Sequence, residues 1–264
     1  KSLAFQNEAT LYMVIKAMFD ILLAKLSGQE DIIVGTPVAS RRHPDLEQII
    51  GMFVNTLALR SFPIDEMTFR QFLHQVKIQT LQAFENQEYP FEELVEKIGV
   101  NRDTGRNPLF DTMFSLPNLS NQREDIPAVI TQSRGLYKNP TAQFDLILIG
   151  TEAGGKLEFE IRYSTPLFKK ETIRRYAGYF AKILSWAVEN PGIKLWQIEI
   201  ISPGEKQELL YDINATGAEY PREKTVRQLF AQQAAAAPGH IAHIFHDRQV
   251  TYKELNREAN RLAR

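Results

Sequence analysis

The sequence predicts an α/β fold in which helices pack against a mixed, largely antiparallel sheet. Three observations carry that expectation. Apolar residues recur at three- and four-residue steps over residues 11–26 and again over 173–187, the spacing of a helix that buries one stripe. Between residues 31 and 84, two β-branched segments separated by a polar loop are followed by another helical stripe. Around residues 144–163, apolar and polar side chains alternate one by one, which is the period of a half-buried strand.

The elements follow in order. Thr10 is placed to cap a helix carrying Leu11, Val14, Ile15, Met18, Phe19, Leu22, Leu23 and Leu26, and Gly28 ends it. Asp31-Ile-Ile-Val-Gly-Thr36 reads as a buried strand, and Ser40-Arg41-Arg42-His43-Pro44 as a solvated loop rather than a phosphate site. Residues 53–62 form a second strand and 68–84 a helix with Phe69, Phe72, Leu73, Val76 and Leu81 on one face. Tyr89-Pro90-Phe91-Glu92-Glu93-Leu94 starts another, with Pro90 near the first helical position and two carboxylates in the electropositive first turn. Being adjacent, Glu92 and Glu93 do not face each other, so they suit capping better than paired acid–base work.

Phe144, Leu146 and Leu148, then Leu157, Phe159, Ile161 and Tyr163, mark two strands joined through Glu152-Ala-Gly-Gly155. No serine follows that glycine pair, so it is a turn rather than a phosphopantetheine attachment site. Ile173, Tyr176, Ala177, Phe180, Ile183, Leu184 and Ala187 stripe a helix ending near Asn190-Pro191-Gly192. Each buried side chain of this kind contributes about 1.5–3 kcal/mol against roughly 1–2 kcal/mol per ordered residue, so the helix has to dock on the sheet. After Lys194 the character changes: an apolar segment at 196–201, a charged helix opened by Ser202-Pro203-Gly204 and a turn-rich stretch at 214–221 suit a linker. A new unit then begins near Tyr220, with Val226, Leu229 and Phe230 on a helix, strands at 240–246 and 250–252 joined across Asp247-Arg248-Gln249, and a further helix from Glu254. The expected division is 1–194, a linker at 195–219, and a small incomplete α/β segment at 220–264. The chain starts without Met and enters a helix almost at once, as expected of a piece of something longer.

Composition narrows the function classes. With 31 Lys and Arg against 32 Asp and Glu in 264 residues, net charge −1, there is no electrostatic footprint for nucleic acid or an anionic membrane. The absence of cysteine removes disulfides, thiolate nucleophiles and Cys-ligated zinc, and fits a reducing, cytoplasmic setting. No stretch approaches the roughly 18 apolar residues of a membrane span. None of His43, His74, His240, His243 and His246 adjoins another. On a strand His243 points away from His240 and His246, so no metal site is expected there.

Three segments carry the strongest signal: Ile50-Gly-Met-Phe-Val-Asn-Thr-Leu-Ala-Leu-Arg60, Asn86-Gln-Glu-Tyr-Pro-Phe-Glu92 and Arg102-Asp-Thr-Gly-Arg-Asn-Pro-Leu109. Each has a plain structural reading: a tight turn at Gly51 with Asn55 and Thr56 satisfying backbone, a helix cap, and a loop locked by Arg102, Asp103 and Arg106 ahead of Asn107-Pro108. Together, and in this order, they resemble the condensation domains of nonribosomal peptide synthetases, with Gly105 standing where that family usually has serine. Residues 220–264, with Val250-Thr-Tyr-Lys-Glu-Leu255, resemble the opening of an adenylation domain.

The resemblance implies a chloramphenicol-acetyltransferase-like C-terminal lobe, a linker and the start of an adenylation domain in an elongation module. It implies amide-bond formation between a donor thioester and an acceptor aminoacyl thioester, both on phosphopantetheine arms of partner carrier domains. Other implied partners are the N-terminal lobe and the rest of the adenylation domain, with ATP and Mg bound only by that full domain. The family's His-His-x-x-x-Asp-Gly motif is absent here, so no catalytic residue is expected in this segment. Asn55, Thr56, Tyr89, Pro90, Phe91, Arg102, Asp103, Arg106 and Asn107 are expected to form or support a tunnel wall, and Arg102 or Arg106 to reach an acidic residue of the partner lobe. Epimerization and heterocyclization domains share the implied fold, and a non-catalytic docking platform has the same architecture. The third segment and the adenylation-like start favour plain condensation. A stand-alone adenylate-forming ligase would leave residues 1–195 as an unrelated leader.

Overall fold

The computed structural model describes residues 1–40, 44–46, 49–51, 53–99, 106–117, 143–153 and 155–263. The chain forms two compact units, Lys1–Ser202 and Pro203–Arg264.

The first unit opens with helices α1 (Ser2–Gln6) and α2 (Leu11–Ser27). The boundaries of α2 are local chemistry: the Thr10 hydroxyl accepts from the Met13 amide at 3.2 Å, and Gly28 closes the helix at φ 69°. Strands β1 (Ile32–Val38) and β2 (Asn55–Ser61) follow, then α3 (Phe69–Glu85), α4 (Phe91–Ile98), β3 (Thr112–Ser115), β4 (Leu146–Ala153), β5 (Lys156–Tyr163) and α5 (Lys170–Glu189). The sheet runs β2-β1-β3-β4-β5. Its outer pairs, β1–β2 and β4–β5, are antiparallel, while β3 lies parallel to both β1 and β4. The predicted alternation holds on β4 and on most of β5: Leu146 and Leu148 are buried and Phe159, Ile161 and Tyr163 pack on the core, with Glu158, Glu160 and Arg162 outward, whereas Leu157, expected on the apolar face, is exposed near the strand's start.

Helix α2 is the centre of the unit. Every residue from Met13 to Leu22 is buried, because α3 and α5 flank it and the sheet closes the remaining side. One stripe was the expectation; burial all round is the finding, and it takes Lys16 and Asp20 into the interior. They pair, with Lys16 Nζ 2.6 Å from Asp20 Oδ2, which also accepts from Ser61 Oγ at 2.8 Å, while Asp20 Oδ1 is buried without a hydrogen-bond partner among the described residues. Burial pushes the Asp20 carboxyl up, with Lys16 and Ser61 pulling the other way.

The segment after α5 returns to the first unit. Phe69 N donates to Ile193 O and Leu195 N to Met67 O, both at 2.9 Å, and Leu195 and Ile198 are buried in the same core as α2.

The second unit holds α6 (Pro203–Gln207) running into a π-helical turn (Glu208–Asp212), α7 (Val226–Ala236), hairpin strands β6 (Ile241–Phe245) and β7 (Arg248–Thr251), and α8 (Tyr252–Leu262). The hairpin turn was expected at 247–249 and falls instead at His246-Asp247, because β7 already starts at Arg248 and His246 takes φ 50°. Both long helices open on reciprocal caps, Thr225 with Gln228 and Thr251 with Glu254. The Thr251 amide and hydroxyl hold the Glu254 carboxyl below its ordinary value.

Candidate functional site

The first two of the three motif segments meet through one side chain. Asn55, at the first position of β2, donates from Nδ2 to the main-chain carbonyls of Gln87 and Tyr89, both at 2.8 Å, and accepts from the Thr56 amide at 2.8 Å. A backbone-satisfying role was one expectation for Asn55, and the backbone it satisfies lies 32 and 34 residues away. This fixes the chain entering α4, which Pro90 caps at φ −63°, with Glu92 and Glu93 in the first turn. Tyr89 lies under the Lys97 ammonium at 5.4 Å.

The second segment meets the third through aromatic rings. Phe91 lies 5.6 Å from Phe110, which stacks in turn on Phe144 at 5.5 Å. Phe110 is presented by Asn107, whose Oδ1 accepts from the amides of Leu109 at 3.2 Å and Phe110 at 3.4 Å. The ring lies over β1 at Gly35, where an added Cβ would sit 2.1 Å from it. Arg106 Nη2 lies 3.1 Å from Asp111 Oδ2, an ion pair inside its own loop. Beside it, burial and the Asp111 charge push the Asp145 carboxyl up, and Arg106 pulls it part of the way back. Arg102, Asp103 and Gly105 lie outside the described residues, as do Arg41, Arg42, His43 and Gly154.

A cavity of about 820 Å³ opens beside Asn55, lined by Tyr12, Thr36, Val54, Phe84, Gln87 and Ser115 among others. It sits at the carboxyl ends of the parallel strands β1, β3 and β4, where open α/β sheets bind ligands. Tyr12 is part of its wall, its ring 5.0 Å from Phe114 and 6.0 Å from Phe84. Burial pushes the Tyr12 phenol far above its ordinary value. A second cavity of about 460 Å³ lies at the opposite strand ends, near Asp31, Phe110, Asp111, Asp145 and Tyr176. No histidine lines either cavity among the described residues, and no group of three metal-ligating side chains occurs among them.

The family model described as "Condensation domain" matches residues 1–210. The chain belongs to the condensation-domain family. It is 48% identical over 264 residues to gramicidin S synthase 2 of Aneurinibacillus migulanus, covering all of this chain and 6% of that protein. It is 46% identical over 261 residues to tyrocidine synthase 3 of Brevibacillus parabrevis, covering 99% of this chain and 4% of that protein. The chain therefore spans a small fraction of the relatives it matches. Among solved structures, a four-domain nonribosomal peptide synthetase bound to AMP and glycine superposes with TM-score 0.72 at 23% identity, over 100% of this chain and 21% of that one. The X-domain from teicoplanin biosynthesis gives TM-score 0.65 at 19% identity, over 75% of this condensation-family chain and 46% of that one. At these identities the structures speak for the fold.

Of the residues expected at the site, Asn55, Tyr89, Pro90, Phe91, Arg106 and Asn107 form one linked chain of contacts across three distant segments, with Thr56 beside Asn55. Sequence reasoning passed over Phe110, the residue directly after the third segment, although an aromatic following Asn-Pro-Leu was visible. Tyr12 and Thr36 gave no signal, since each reads as an ordinary member of its helix or strand.

Proposed function

We propose that this chain is the C-terminal lobe of a condensation domain, residues 1–194, with a linker at 195–219 and the opening of an adenylation domain at 220–264. On this reading it is part of a nonribosomal peptide synthetase elongation module in the cytoplasm. Its partners are two carrier domains bearing phosphopantetheine arms, the N-terminal lobe and the rest of the adenylation domain, where ATP and Mg are bound. The supporting observation is the joining of the first two segments by Asn55, which holds the Gln87 and Tyr89 carbonyls, while its neighbours Val54 and Gln87 line a cavity at the strand ends.

The reaction is acyl transfer. The acceptor amine attacks the donor thioester carbonyl, the new C–N bond forms, the C–S bond breaks, and the donor's arm leaves as the thiol. Holding both tethered reactants in line is worth roughly 7–11 kcal/mol in favourable cases. Asn55, Thr56, Tyr89, Pro90, Phe91, Arg102, Asp103, Arg106 and Asn107 form or support the tunnel wall that does this. Histidines of the His-His-x-x-x-Asp-Gly motif are supplied from outside these 264 residues.

The test joins the chain to its N-terminal lobe and supplies loaded donor and acceptor carriers, with dipeptidyl-carrier formation read by intact-protein mass spectrometry. Product is expected from the joined protein and none from the 264-residue chain alone. Product from the chain alone, or none from the joined protein with any substrate pair, would overturn the reading.

A further inference from the structure

The larger cavity is rimmed by polar residues, yet most of their polar groups are already engaged. The Thr10 hydroxyl caps α2 by accepting from Met13 N at 3.2 Å. Thr36 is buried, and its hydroxyl donates to the Phe114 carbonyl at 2.9 Å. Gln87 Nε2 donates to the Phe84 carbonyl at 2.9 Å. Lys1 and Glu152 pair with each other, and both are substantially exposed. The Tyr12 hydroxyl is buried in the lining without a hydrogen-bond partner among the described residues.

What the cavity offers a ligand is therefore mainly apolar. Val54 and Leu81 line the cavity and are 60% and 47% exposed. They stand beside Phe84, whose ring is held edge-on by Tyr12 at 6.0 Å. Val54 immediately precedes Asn55, and Gln87 also lines the cavity, so this apolar patch adjoins the junction of the first two segments. A pantetheine arm, with its two amides and hydroxyl, finds few free partners here. A charged group would meet no unpaired counter-charge among the described lining residues, because Lys1 and Glu152 are engaged with each other.

Resting on the function proposed above, we propose that this cavity receives the uncharged, apolar side chain of a thioester-tethered aminoacyl group, and that Val54, Leu81 and Phe84 determine that specificity. Val54 and Leu81 set the polarity the pocket accepts. Phe84 sets its depth.

The experiment uses the joined synthetase protein with loaded carriers and compares leucyl with the near-isosteric aspartyl substrate, first as donor and then as acceptor. The wild type should favour leucyl on one of the two sides by at least about tenfold in kcat/KM, since an unpaired carboxylate is poorly tolerated against apolar walls. Leu81→Lys and Val54→Lys change exposed positions, so the fold survives, and each should narrow that ratio on the same side by supplying a counter-charge. Phe84→Ala should shift preference toward bulkier apolar substrates. Equal use of leucyl and aspartyl on both sides, or a ratio unmoved by both lysine variants, overturns the proposal while leaving condensation intact. A wild type that forms no amide with any pair overturns the functional reading instead. In that case amide-linked leucyl- and aspartyl-pantetheine analogues, titrated calorimetrically against the same protein, decide the pocket: selective leucyl binding supports it, and equal or absent binding rejects it.

Discussion

Asn55 holds Tyr89 by a single hydrogen bond from its carboxamide to the Tyr89 carbonyl at 2.8 Å, and the same nitrogen reaches the Gln87 carbonyl at 2.8 Å. Two carbonyls on the approach to α4 thus depend on one donor. Asn55→Ala should cost about 1–3 kcal/mol, the penalty for leaving partly buried polar groups unpaired. Asn55→Asp should cost more, because it sets a carboxylate against two carbonyl oxygens. Urea denaturation measures both, and an aspartate variant as stable as the wild type contradicts the staple.

Gly35 and Phe110 form a second dependent pair. A Cβ on residue 35 would lie 2.1 Å from the Phe110 ring, and Phe91 and Phe144 on other sides of that ring limit its escape. Gly35→Ala is expected to destabilise by about 1–3 kcal/mol through overpacking. Combining it with Phe110→Leu should lose less than the two single changes together, since the clash and its partner are coupled. Thermal unfolding of the four proteins shows whether the changes simply add.

Inside α2, Lys16 and Asp20 are buried together. Lys16→Met leaves a carboxylate unpaired in the core, and breaking such a pair typically costs 3–5 kcal/mol. Replacing both at once, with Lys16→Met and Asp20→Leu, should recover most of that loss because no buried charge remains. Chemical denaturation at neutral pH distinguishes the outcomes; a double variant worse than Lys16→Met alone rules out this account.

Asp145 gives a pH signature. Burial first, and the Asp111 charge second, raise its carboxyl above the ordinary value. The folded protein thus holds this proton more tightly than the unfolded chain does. Its contribution favours folding below the ordinary carboxylate range and is lost as pH rises through the raised value. Asp145→Asn keeps the main-chain bonds to Asp111 and Ser164, so it should flatten the stability profile in that window and raise Tm modestly at neutral pH. A profile identical to wild type argues against the coupling.

Much of the fold was legible where chemistry is local. Thr10 and Gly28 bound α2, and Pro90 with two glutamates opens α4, because caps act on the nearest turn. The alternation of Leu146 to Leu148 and Phe159 to Tyr163 marked two strands for the same reason. β3 escaped: at four residues it is too short to show a period, and its partners are parallel strands far along the chain. The burial of Lys16 and Asp20, four residues apart on a helix, follows from α3, α5 and the sheet surrounding them, which no local pattern reports. At the site, the position of Asn55 was legible and its partners were not, since no periodicity reports a hydrogen bond spanning 34 residues.

The parallel centre of the sheet also sets an order on manufacture. β1 and β2 can zip as soon as Ser61 has left the ribosome, but the inner edge of β1 waits for Met113, and β3 then waits for Leu146–Ile149. At about 5–20 residues per second, those intervals last seconds. Through them the nascent lobe carries an apolar strand with an open edge, the state most prone to pair with a neighbouring chain. Four residues, Thr112 to Ser115, close that gap, so a polypeptide ending before them is left with a hairpin, its helices and an unshielded edge.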